Sequence, residues 1–131
     1  MPDRNTPWRN GDIVAVPVAA ATMIYGGHMV AANAAGLAVP ASAVAAQVTL
    51  GVSDEYADNT AGAAAATSVN VRRGKAWKLV NLSGDAVTQA DVGKNCYVAD
   101  SVTVAKTSNA NARPVAGQVI AVDSDGVWVE I

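Results

Sequence analysis

The stretch Val115-Ala116-Gly117-Gln118-Val119-Ile120-Ala121-Val122-Asp123-Ser124-Asp125-Gly126-Val127-Trp128-Val129-Glu130-Ile131 decides the fold. Two Val-rich runs flank Asp123-Ser124-Asp125-Gly126, which is turn chemistry, so the stretch reads as a hairpin. The same pattern repeats back through the chain. Asn95 to Ala99 and Val102 to Ala105 form a tight hairpin around Asp100-Ser101. Ser68 to Arg72 and Lys75 to Leu82 alternate in period two on either side of Arg73-Gly74. Val48 to Ser53 alternates as well, with Gly51 marking a bulge. His28 to Ala32 and Leu37 to Pro40 flank Asn33-Ala34-Ala35-Gly36, a turn that places Gly36 where a positive φ is needed. Ile13 to Val16 is a strand that Pro17 ends or confines to an edge. The spacing predicts an all-β domain, a single small barrel or sandwich of short antiparallel strands.

Three segments depart from this pattern. Thr88 to Gly93 reads as one helical turn, with Thr88 as N-cap and Gly93 at its C-terminal end. The Ala-rich stretches Pro40 to Gln47 and Thr60 to Thr67 are too short for stable helices and read as loops, the second a mobile surface loop. Residues 1–10 read as an extended N-terminal arm ahead of a β domain at 11–131. Pro2 and Pro7 exclude a helix interior there, and Trp8 is the one large aromatic on an otherwise polar segment.

Composition limits the function. The chain has 131 residues and a net charge of −2, which gives no electrostatic case for nucleic acid. About a fifth of the residues are Ala and only 5% are aromatic, so the core is thin and favours further burial against copies of itself. One Cys excludes an intramolecular disulfide. The longest apolar run, Ile13 to Ile24, is broken by Pro17 and Thr22 and is too short for a bilayer span. The expectation is a protein that is soluble and cytosolic at synthesis, with no membrane partner.

No segment concentrates reaction chemistry. Asp123-Ser124-Asp125-Gly126 starts like a calcium loop, but the distal Glu ligand does not follow. Asp54, Glu55 and Asp58 form an acidic cluster without a nearby His or Cys and read as a solvated loop. His28 is the only His, and catalysis through it needs a nucleophile and an orienting carboxylate in space. Gly11-Asp12-Ile13-Val14-Ala15-Val16 is similar to a strand of Ser/Lys peptidases, but no Ser precedes it. Arg72, Arg73, Lys75 and Lys78 interleave with Trp77, as in single-strand binders. Alternation puts Lys75, Trp77 and Leu79 on one face, which serves equally as a protein contact. These readings predict no enzyme, no cofactor and no metal.

The order of segments resembles the small capsid decoration, or cement, proteins of tailed bacteriophages, including those of Mu-like prophages. The matching residues are Gly11-Asp12-Ile13-Val14-Ala15-Val16-Pro17, Tyr25-Gly26-Gly27, Asn33-Ala34-Ala35-Gly36, Leu50-Gly51-Val52-Ser53 and Val71-Arg72-Arg73-Gly74. In the C-terminal part they are Asp91-Val92-Gly93-Lys94, Cys96-Tyr97-Val98-Ala99-Asp100, Val102-Thr103-Val104-Ala105 and Asp125-Gly126-Val127-Trp128-Val129. The resemblance implies a structural protein on the outside of a phage head, assembled in the host cytoplasm. Its partners are the major capsid protein and copies of itself, as a homotrimer. Arg4, Pro7, Trp8 and Arg9 become the candidate capsid contacts, with Lys75 and Trp77 as secondary ones. The alternative is a tail-associated or surface β domain that binds a host receptor or glycan. Exposed aromatics gathered at one end would favour it, whereas in the sequence they are scattered.

Overall fold

The computed structural model describes all residues, Met1–Ile131. The elements are β1 (Ile13–Pro17), β2 (Thr22–Ile24), β3 (Met29–Ala32), β4 (Ala38–Pro40), β5 (Val48–Ser53), β6 (Ala57–Asn59), β7 (Ser68–Arg72), β8 (Ala76–Asn81), a 3-10 turn at Gln89–Asp91, β9 (Asn95–Val98), β10 (Thr103–Ala105), β11 (Val115–Asp123) and β12 (Gly126–Glu130). The all-β expectation holds. The barrel occupies only the second half of the chain. There β10-β8-β12-β11-β9 close on themselves. The first half makes an open sheet, β1-β7-β5-β3-β4, and β2-β6 form a separate two-stranded ribbon packed against it.

The antiparallel expectation fails at two places: Val18, just after β1, makes a parallel bridge to Ala38 on β4, and one barrel seam is parallel. β10 pairs with β8 in parallel, through Thr103↔Val80 and Val104↔Asn81. The other barrel pairings, the hairpins β9–β10 and β11–β12 and the contacts β9–β11 and β8–β12, are all antiparallel. The parallel seam joins strands separated by the 3-10 turn and β9, so no local turn signal announces it.

Local chemistry explains the remaining elements. The Asn33 carboxamide accepts hydrogen bonds from Ala35 N at 2.9 Å and Leu37 N at 3.0 Å, and Gly36 takes φ +79° to close the turn. The β3–β5 register shifts beside Gly51, as the bulge reading predicts. A Cβ at Gly51 would collide with the Arg72 carbonyl oxygen on β7. Thr88 N donates to Asp91 Oδ2 at 2.8 Å, and Gly93 leaves the turn at φ +86°. The loop at 60–67 is not a loose excursion. Asn59 Nδ2 donates to Ala19 O and Ala63 O at 2.9 Å each, Ala65 N donates to Val18 O at 2.9 Å, and Val18 N donates to Thr67 O at 2.8 Å. A buried Asn side chain thus anchors what the composition alone leaves free.

Two apolar clusters meet at β3. Met29 and Ala31 join the barrel core with Leu79, Cys96, Val98, Val104, Val119, Val127 and Val129. Val30, between them, joins the other cluster with Val18, Ile24, Ala57, Val69 and Val71. β3 is therefore covered on both faces, by the barrel on one side and the ribbon on the other. Val supplies most of the bulk, each buried side chain contributing roughly 1.5–3 kcal/mol.

Candidate functional site

Residues 1–11 carry no regular structure and every one is exposed. The first backbone bond to the body is Arg73 N donating to Asp12 O at 2.9 Å. Arg4, Pro7, Trp8 and Arg9 all lie in this segment, and Trp8 is 87% exposed. Arg4 and Arg9 make no ion pair. Exposing an indole of this size forgoes a large burial energy, so the position gains from a partner surface.

Lys75 and Trp77 do not form an outward contact face. The face that carries Trp77 and Leu79 is the inner wall of the barrel: Leu79 is buried in its core and Trp77 packs against it, half-buried. Closure turns one face of each barrel strand inward, and alternation assigns these two to it. Lys75 sits exposed just before β8. Lys78, on the opposite face, holds Asp125 at 2.5 Å, and Asp123 lies 3.8 Å away. Its ammonium pKa is raised by the Asp125 contact. Arg72 is engaged by Asp54 at 2.5 Å, which lowers the carboxyl pKa. The basic concentration therefore splits between two ion pairs and two exposed side chains.

The acidic groups are occupied in the same way. Asp123 also accepts from Trp128 Nε1 at 2.8 Å. Glu55 Oε1 accepts from Asn70 N at 3.0 Å. Asp58 accepts from Thr60 N at 3.0 Å and Thr60 Oγ1 at 2.6 Å, which lowers its pKa. No three His, Cys, Asp or Glu side chains converge. His28 Nδ1 lies 2.8 Å from Ser101 Oγ, and Met29 N donates to Ser101 O at 2.7 Å. That pair ties the turn before β3 to the β9–β10 turn of the barrel.

Comparison with known proteins finds no matching family model, no matching curated protein and no matching solved structure.

Two features escape the sequence reading. One is a groove of about 720 Å³ between the open sheet and the barrel. Val48, Leu50 and Val115 line it, with Arg73 and Arg113 on its walls. Arg113 is held by Asp85 at 2.9 Å. The successive left-handed residues Asn109, Ala110 and Asn111 bring Asn111 to its rim. The other is an aromatic group. Tyr25 and Tyr56, 31 positions apart, bring their ring centroids to 5.8 Å, and the His28 ring is 5.5 Å from Tyr25. The aromatics scattered in the sequence are thus partly gathered in space. Tyr25-Gly26-Gly27 was legible as a turn, but nothing local pairs it with Tyr56. No helix is long and apolar enough to cross a membrane.

Proposed function

We propose that this chain is a structural capsid decoration protein. It binds the major capsid protein on the outer surface of a phage head, stabilises the shell against internal DNA pressure, and performs no catalysis. The observation that carries the reading is the N-terminal segment, wholly exposed and unbonded to the body, with Trp8 87% exposed. The resemblance of the segment order supports the same reading. So does a body in which most acidic groups are spent on ion pairs and turn caps, with Arg73 and Lys75 left exposed. The free outer edge of β1, which pairs only with β7, is a second contact available to an extended partner strand.

Copies act together as a homotrimer, so that weak single contacts combine through effective concentration. The protein is made in the host cytoplasm and resides on the virion. The deciding experiment mixes purified protein with undecorated expanded heads and images them. Decoration at threefold or quasi-threefold positions is the expected result. Bare heads at saturating protein sink the proposal. Trp8→Ala should weaken binding about thirtyfold per contact, the equivalent of about 2 kcal/mol for an interface anchor.

The second reading, a tail-associated or surface β domain that binds a host receptor or glycan, gains from the gathering of Tyr25, Tyr56 and His28. Binding to host cells or cell-wall glycan without binding to heads would select it.

A further inference from the structure

Tyr25 and Tyr56 are among the most exposed large side chains of the body, at 53% and 56%. Their rings incline at 47°, and the Tyr56 hydroxyl contacts Met23 Sδ at 3.5 Å. The His28 ring lies beyond Tyr25 at an inclination of 44°, fixed by Ser101. The other body aromatics are accounted for. Trp77 packs on the barrel core, Tyr97 is half-buried, and Trp128 is bonded to Asp123. Neither tyrosine belongs to a core cluster, and the polar side chain beside the pair is Asp58, which interacts with the Tyr56 hydroxyl.

The surroundings are negative. Glu55 and Asp58 flank Tyr56 in the chain, and both are exposed. Arg72, the cation of this region, is already engaged by Asp54. Desolvation, then Asp58 and Tyr25, raise the Tyr56 pKa, and no Lys or Arg offsets them. Aromatic ring faces are themselves the negative part of a quadrupole, and cations bind them within about 6 Å of the centroid. Rings 5.8 Å apart allow one cation to lie within that range of both.

We infer that Tyr25, Tyr56 and Asp58 form a binding site for an organic ammonium cation, seated against the two rings and balanced by the carboxylate. A divalent metal ion is a poor occupant, because it demands about six oxygen ligands and the Asp58 carboxylate, with one oxygen already accepting from Thr60, does not supply them. A neutral sugar gains nothing from the negative field. An alkylammonium head gains from both the field and the apolar ring surface. The inference stands independently of head decoration.

The test is a nuclear magnetic resonance titration of the full-length chain with choline, at constant ionic strength. The neutral isostere 3,3-dimethylbutan-1-ol, glucose and an N-capped lysine amide run as parallel arms. Choline should shift the Tyr25, His28 and Tyr56 resonances saturably, and the isostere should bind several-fold more weakly. Tyr25→Ala, Tyr56→Ala and Asp58→Asn should each weaken choline binding about two- to fivefold, the range for exposed cation–π contacts. Unchanged resonances of both the barrel and the open sheet in the variants establish that they are folded. The lysine arm identifies the source: tighter binding than choline points to a protein side chain, weaker binding to a small quaternary amine. Equal binding of the isostere, or glucose shifting these resonances while choline does not, overturns the inference.

Discussion

The barrel and the open sheet use similar strands for different ends. In the barrel every strand has two neighbours, so no backbone edge is left for another chain. In the sheet β1 and β4 each pair with one strand, the edge of β4 meets the chain just after β1 only through the single bridge Val18↔Ala38, and β1 exposes Ile13 at 42%. Both regions contain a register shift next to a glycine that a neighbouring strand crosses closely, Gly117 in the barrel and Gly51 in the sheet. Closure makes the barrel the rigid half. The open edge, the unbonded N-terminal segment and the groove wall at Val48 and Leu50 place much of the adaptable surface in the other half.

The largest expected effect tests whether the halves unfold as one. Met29 is fully buried and sits on the strand shared by both clusters. Met29→Ala should cost about 3 kcal/mol, with a single denaturant transition reported by both near-ultraviolet and far-ultraviolet signals. Two separated transitions would break the picture of one cooperative unit.

Overpacking distinguishes the halves directly. A Cβ at Gly117 would meet the Glu130 carbonyl oxygen, on a strand held from both sides by β11 and β8. A Cβ at Gly51 would meet the Arg72 carbonyl oxygen on β7, whose other neighbour is the free edge strand β1. Gly117→Ala should cost about 3 kcal/mol from the clash alone. Gly51→Ala adds strain at φ +158° to its clash, yet should cost no more, because the open sheet can shift; a larger cost in urea melts would show that closure confers no extra stiffness.

Cys96 reports on the barrel alone. Burial pushes its thiol pKa up to about 11 from 9.0, and Sγ faces the Gly117 carbonyl at 3.6 Å. The folded state holds the proton that the unfolded state loses first. Stability from this group is therefore complete below pH 9 and is lost as pH rises toward 11. The loss is roughly 2–3 kcal/mol. The wild-type stability curve should steepen there relative to Cys96→Ala. Parallel curves would mean that the thiol is hydrated in the native barrel. Thiol reagents should label Cys96 only on unfolding.

The smallest effect belongs to the surface of the sheet. Arg72 lowers the Asp54 pKa, so their pair contributes above the ordinary carboxyl pKa and fades as pH falls below it. Asp54→Asn should lower the melting temperature slightly at low salt and not at all in 1 M salt. A salt-independent loss would assign Asp54 a packing role instead.

The sequence by itself determined where the chain extends and where it turns. Period-two alternation, the Asn33 to Gly36 turn, the Thr88 to Gly93 turn and both C-terminal hairpins depend on interactions within a few residues, and all are present. The short strands β2 and β6 escaped that reading, because three residues are too few to show a period. Only the tertiary structure decided that the strands divide into a barrel and a sheet, that β10 joins β8 in parallel, and that Trp77 points inward. It alone brought Tyr25 to Tyr56 and let Asn59 anchor the Ala-rich loop. These outcomes join segments distant in the chain: shared burial of apolar area selects the barrel, the sheet and the inward Trp77, and hydrogen bonds from buried Asn59 hold the loop. Burial is non-directional, so it leaves no local pattern to read until the strands have found their neighbours.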